Sequence, residues 1–156
     1  MSQRLAAAKV APAAYQAMRG VQEHVNQNGL DRKLGELVKM RASQINGCVF
    51  CLDMHIEEAR RIGETQLRID LLPVWEEAGE LYTPSERAAL ALTEAVTRIS
   101  EKGVPDAVYA EAAKHFSEKE LVELTLAICV INSWNRLSVT FRATPASLTR
   151  AKAKAA

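Results

Sequence analysis

A chain of 156 residues, 48% hydrophobic and 25% charged, can bury a substantial core and is too ordinary in composition for a disordered or fibrous protein. Its formal charge of +1 lacks the excess of Lys and Arg that a phosphate-binding surface needs, which argues against nucleic acid as the main partner. The longest apolar stretch, Leu124–Ile131, is far shorter than the roughly 20 residues of a membrane span, and MSQRLAAAKVAPAAYQ does not read as a secretory signal, so no membrane association and a cytoplasmic location are expected.

The chain reads as all helix, in one domain over 1–156. Pro12 suits the first position of a helix, and Tyr15, Met18, Val21 and Val25 follow at three- and four-residue spacing. Asn28-Gly29 ends it. Asp31 can cap a second helix, on which Leu34, Leu37, Val38, Arg41 and Ile45 share one side. Asn46-Gly47 breaks that pattern, and a third helix is expected from about Cys48 to Arg61, stopped by Gly63. From Thr65 to Tyr82 the pattern gives a short helix ending before Pro73, then a loop or second short helix carrying Trp75. Thr83-Pro84-Ser85-Glu86 is a capping signal for a helix to about Ser100, and Pro105 starts another that ends near Phe116. Ser117-Glu118-Lys119-Glu120 is a second capping box. The residues after it, 121–131, are apolar on nearly every side, which predicts a helix buried all round with Cys129 in the core. Trp134-Asn135-Arg136 reads as that helix's end, bonding to loops or to a neighbouring subunit. His24 reads as solvated, His115 as a last-turn residue, and the Ala/Lys tail after Ser147 as disordered. No alternating run predicts a strand, and there is no internal repeat.

The chemistry concentrates in Asn46-Gly47-Cys48-Val49-Phe50-Cys51-Leu52-Asp53-Met54-His55. Three cysteines are an odd number for a disulfide framework, and in a reducing compartment a close pair points to catalysis or metal binding. Cysteines three apart at a helix start face the same way, within reach of a disulfide. Unpaired N–H groups of the first turn and the helix dipole favour thiolate there, the form that attacks peroxides and disulfides. His55 follows Cys51 by four residues on the same face and leans back over it, placed to take the thiol proton. Two other readings exist: small core cysteines, and a zinc site of Cys48, Cys51 and His55 that lacks a fourth ligand. Glu36 reads alone as a surface carboxylate.

These residues resemble the core motif of the AhpD-like alkyl hydroperoxidases, in the carboxymuconolactone decarboxylase superfamily. The resemblance runs from the first helix to Arg142. It rests on Glu36-Leu37, on Ser43-Gln44-Ile45-Asn46-Gly47-Cys48, on Cys51 and His55, and on Asn132, Trp134, Asn135 and Arg136. It implies an all-helical bundle built around a helical hairpin carrying the motif, with its core at about 31–63. It also implies assembly as a homo-oligomer, a hexamer or a trimer. In the peroxidase branch the second cysteine, here Cys51, reacts with peroxide, and the first, here Cys48, resolves the sulfenic acid. The histidine and glutamate matching His55 and Glu36 form a proton relay. The partners implied are a peroxide substrate and a thiol or dithiol reductant, with no cofactor and no metal. Phe50 stands where the best-studied members carry a second histidine, which implies a shorter relay or weaker turnover. The decarboxylase branch, which acts on a lactone acid without a redox cysteine pair, is the alternative enzyme. A zinc-stabilised or stress-responsive interaction module is the non-catalytic one. For the order of the two thiols, helix position alone favours Cys48 as nucleophile. His55 reverses it in favour of Cys51, since general-base help is worth about 10²–10⁴-fold.

Overall fold

A computed structural model describes residues 2–155, and among them there is no strand. A short helix α1 (Ala7–Val10) precedes α2 (Pro12–Gln27), whose proline stands at its first turn as expected. Asp31 caps α3 (Arg32–Ile45) by accepting the Leu34 N–H. Helix α4 (Val49–Arg61) follows after the Asn46-Gly47 break. There Gly47 adopts φ +63, a conformation that costs a residue with a Cβ more than it costs glycine. Helix α5 (Gln66–Leu71) leads into 3₁₀ turns at Leu72–Val74 and Gly79–Leu81, with Trp75 buried between them. Both capping boxes form: Thr83 with Glu86 opens α6 (Pro84–Thr97), and Ser117 with Glu120 opens α9 (Glu118–Phe141). Between them lie α7 (Ile99–Lys102) and α8 (Asp106–His115).

Helix α3 is the centre of the bundle. It packs against α4 on one side and against α6 and α9 on another. Leu37, Val38 and Met40 on it are fully buried. Leu34 and Val38 join Leu92, Leu124 and Ile128 in one apolar cluster, while Leu37 and Met40 join Leu72, Trp75, Tyr82 and Leu90 in another. A third cluster, of Ala42, Cys48, Cys51 and Ile131, closes the end of the bundle where α3 meets α4 and α9.

Three expectations change. Helix α9 does not end at Trp134; it runs unbroken for 24 residues to Phe141. It is not buried all round either. It packs on α3, α6 and α2, which leaves a stripe uncovered: Val122 is 68% exposed, and Cys129, seven residues on, is exposed as well. The tail expected to be disordered forms α10 (Ala146–Ala155), tied to α4 through Ser147 to Asp53 and Arg150 to Glu57. No helix is long and apolar enough to cross a membrane among the described residues. Leu37→Ala should therefore lower stability by about 2–5 kcal/mol in urea unfolding. Val122→Ala, on the uncovered stripe, should stay within about 0.5 kcal/mol.

Candidate active site

The α3–α4 break sets the position of the two sulfurs. Cys48 has extended backbone (φ −88, ψ 93) at the N-cap of α4, so its side chain faces the unpaired N–H groups of the first turn. Its Sγ accepts the Cys51 N–H at 3.4 Å, doing what a serine or aspartate oxygen does at other helix starts. Both thiols are reduced and almost completely buried, at 2% and 1% exposure. The Cys51 Sγ lies 3.6 Å from the Ser138 hydroxyl on α9.

This environment splits the pair. Hydrogen bonding from the Cys51 thiol, then its backbone N–H, and contacts with Asn135 and Ser138 pull the Cys48 thiol down to about 6 against the opposing effect of burial. The Cys51 thiol moves the other way: it gives its proton toward Cys48, is buried, and sits beside the charge its partner acquires. The backbone hydrogen bond from the Cys51 N–H to the Cys48 sulfur acts on Cys48 alone and favours its thiolate.

Glu36 and His55 face each other across the α3–α4 hairpin. Glu36 is not on the surface; it is 6% exposed, and the His55 Nδ1–H donates to its Oε2 at 2.8 Å. Lys39 holds the other oxygen at 2.8 Å. Burial raises the Glu36 carboxyl, but His55 and Lys39 outweigh it, so the group stays below the usual carboxylate range. An ionised carboxylate only accepts, which fixes the donor on Nδ1 and leaves Nε2 as the nitrogen that can exchange a proton. Among the described residues no hydrogen bond joins His55 to either sulfur. The expected pairs Glu36–His55 and Cys48–Cys51 are thus present, and the expected direct bond from His55 to Cys51 is not. No three His, Cys, Asp or Glu side chains are grouped as a metal ion would need among the described residues, so the zinc reading gains no support.

Residues that carry the resemblance but had no role assigned at the thiols hold this arrangement together. Asn46 Nδ2 donates to both Asn132 Oδ1 and Asn135 Oδ1 at 2.9 Å, binding the end of α3 to α9. Asn135 Nδ2 donates to Ser43 Oγ at 3.0 Å. Trp134 reaches α2 instead, donating to Gln22 and lying 5.7 Å from the Tyr15 ring. Arg136 bonds back to Asn132 on its own helix rather than to a loop. The only sequence signal for Ser138 is its position three residues after Asn135, on the same helical face. Phe50 packs beside the thiols, and Cys129 lies outside their cluster.

One further feature bears on chemistry. Cys48, but not Cys51, lines a cleft of about 530 Å³ between α4, the end of α9 and the start of α10. The cleft is far larger than hydrogen peroxide requires.

Comparison with known proteins gives a consistent answer. The sequence profile of the carboxymuconolactone decarboxylase family matches residues 12–95. The uncharacterised Bacillus subtilis protein YdfG is 44% identical over 139 residues, which are 89% of this chain and 94% of that protein. A solved structure from Agrobacterium tumefaciens, of unknown function and suggested to be the antioxidant defence protein AhpD, superposes with a TM-score of 0.90. It is 42% identical, over 92% of this chain and 98% of its own. The debrominase Bmp8 superposes with a TM-score of 0.80 over 92% of this chain and 76% of its own, at 21% identity, a likeness of fold alone.

The lowered Cys48 thiol generates a test. Alkylation of Cys48 by iodoacetamide should reach half its plateau rate near pH 6, because the thiolate persists down to that pH and is protonated below it. Cys51→Ala removes the first cause of the shift and should move the midpoint up toward that of an ordinary thiol. A midpoint near 8.5 in the unaltered protein would refute the assignment.

Proposed function

The chain belongs to the carboxymuconolactone decarboxylase family, with an all-α AhpD-like fold, and from that premise we propose that it is a thiol-dependent peroxidase with Cys48 and Cys51 as its redox couple. The observation that carries this reading is a reduced CxxC pair at a helix start, one thiol lowered and the other raised, with a carboxylate-bound histidine one turn further on. The lactone chemistry in the family's name needs no such pair.

In the proposed cycle His55 takes the proton that Cys48 sheds. The thiolate attacks the outer oxygen of a hydroperoxide, the O–O bond breaks, and the alkoxide leaves with a proton from His55 as an alcohol. Cys48 is now a sulfenic acid. The Cys51 sulfur displaces its hydroxyl, forming the Cys48–Cys51 disulfide, and the Cys51 proton leaves with the hydroxyl as water. An external thiol or dithiol returns two electrons and two protons and is itself oxidised. Glu36 anchors His55 Nδ1 throughout and stabilises the imidazolium between those two proton transfers. Phe50 supplies no proton, so the relay consists of His55 and Glu36, with Lys39 beside them.

This order departs from the sequence-based expectation of Cys51 as the attacking thiol. Two observations support the change: the lowered thiol is Cys48, and Cys48 faces the cleft. The family resemblance favours a homo-oligomer, a hexamer before a trimer, and exposed apolar side chains such as Val10 and Val21 are compatible with one. A stable monomer at micromolar concentration in light scattering would refute that assembly.

The activity test is peroxide consumption with a dithiol reductant. Cys48→Ser should abolish turnover and leave no trappable sulfenic acid. Cys51→Ser should retain a sulfenic acid at residue 48 and stop turning over. Glu36→Gln and His55→Ala should each slow the first step by about 10²–10⁴-fold near neutral pH. The reverse trapping pattern would restore Cys51 as the attacker, and no peroxide consumption at all would end the peroxidase reading.

A further inference from the structure

The cleft in front of Cys48 has a chemical character of its own. Val49, Phe50, Val139 and Leu148 form apolar walls, and three of them, Val49, Val139 and Leu148, are about half exposed, at 54%, 47% and 46%. Large aliphatic side chains left this open around a cavity of about 530 Å³ provide for an apolar ligand of drug-like size, well beyond hydrogen peroxide. Two cations, Arg4 and Arg142, also line the cleft. Neither forms a salt bridge with a carboxylate among the described residues: Arg4 donates to the Thr140 carbonyl, and no side-chain hydrogen bond is made by Arg142. The acids of the adjoining face of α4 are engaged elsewhere, Asp53 with Ser147 and Glu57 with Arg150. Arg142 is held at the mouth by the backbone, since it is the left-handed C-cap of α9 (φ 53) and its N–H bonds back to the helix.

A cavity with a nucleophilic sulfur in its wall, aliphatic sides and two guanidinium groups without carboxylate partners fits one class of molecule. We propose that the cleft takes an amphipathic carboxylate, its hydrocarbon chain along Val49, Phe50, Val139 and Leu148 and its carboxylate held by Arg4 and Arg142. A guanidinium suits this role because its planar fork matches a carboxylate and it stays charged at any working pH. The proposal rests on the peroxidase reading for what happens next: the substrates would be hydroperoxides of carboxylic acids carrying a medium or long alkyl chain. Occupancy of the cleft does not depend on that chemistry.

Two measurements separate the binding claim from the activity. In the first, Cys48 of the full-length protein is alkylated with iodoacetamide in the presence of decanoate or 1-decanol, which share a chain and differ in the head group. Decanoate should slow alkylation at a concentration at least tenfold below that of decanol. In the double variant Arg4→Gln/Arg142→Asn that preference should fall below threefold; Asn is chosen because it tolerates the left-handed backbone at position 142. Circular dichroism checks that the variant is folded, and Arg142→Asn alone serves if the double variant is not. In the second, kcat/KM is compared for linoleic acid hydroperoxide and its methyl ester, and the acid should be favoured by at least tenfold. Equal protection by decanoate and decanol, or a preference that survives loss of the arginines, would overturn the proposal. Protection by decanoate without consumption of any hydroperoxide would sustain the binding site and refute the peroxidase reading instead.

Discussion

The amide nitrogen of Asn46 reaches from the end of α3 to the side-chain oxygens of Asn132 and Asn135 on α9, and that cross-tie fixes the end of α3, and with it the break before Cys48, against α9. Each such bond is worth about 1 kcal/mol net, but leaving a buried partner unmade costs about 1–3 kcal/mol, so the set is more valuable for position than for stability. Asn135 passes the constraint on to Ser43, whose hydroxyl bonds back to the Lys39 carbonyl on α3. The end of α3 is thereby held in register with α9. Gly47 then turns the chain, and the first residue after the turn is the cysteine that caps α4. A small shift of α3 against α9 would move Cys48 out of line with the Cys51 N–H, and the stabilisation of its thiolate would go with it.

The buried charges on α3 and α4 follow a different logic. Glu36, Lys39 and His55 are nearly out of water, at side-chain exposures of 8%, 13% and 11%. Removing such groups from water is expensive, and the ion pairs within the group recover that penalty only when their geometry is good. A hydrophobic trio of the same volume would fold as well or better. What an apolar trio cannot do is keep a carboxylate ionised inside the hairpin, fix the tautomer of an imidazole and leave one nitrogen free to exchange protons. The central helix therefore carries two faces with separate duties: Leu34, Leu37 and Val38 hold the bundle together, and Glu36 with Lys39 equips the site.

Much of this was legible from the residues. The two capping boxes, the Asp31 cap and the Asn-Gly break are local signals, and local hydrogen-bond chemistry settles them wherever the rest of the chain goes. The CxxC–His spacing was equally local. Glu36 was different. Its own surroundings read as a surface carboxylate, and only the family resemblance gave it a role, because its burial depends on α4 folding back across α3. The face of α9 failed for a related reason. Composition shows that residues 121–131 are apolar, but burial is decided by how many neighbours a helix has, and α9 has too few to cover Val122 and Cys129. Ser138 and Asn135 were invisible as thiol partners because they approach the sulfurs from another helix, across a separation in sequence of more than eighty residues.

The place of His55 shows why spacing alone cannot assign a proton path. A residue four positions after Cys51 lies over it, and the helix direction tilts the ring toward it, so proximity is assured. A hydrogen bond is not, because the ring turns so that one of its nitrogens meets the best acceptor in reach, and the other points where that orientation sends it. A buried carboxylate, with its formal charge, is a much better acceptor than a thiol, and charge-assisted bonds are about twice as strong as neutral ones. Glu36 therefore takes Nδ1, and the ring's orientation is set from α3 rather than from its own helix. With the imidazole held there, the helix-start N–H groups are the nearest fixed donors to a sulfur, and they act on Cys48. The family resemblance implies that the second cysteine reacts first, whereas the proposed cycle starts from Cys48. With Nδ1 committed to Glu36, the proposed cycle uses the Cys51 N–H as the immediate stabiliser of the Cys48 thiolate and His55 as its proton reservoir.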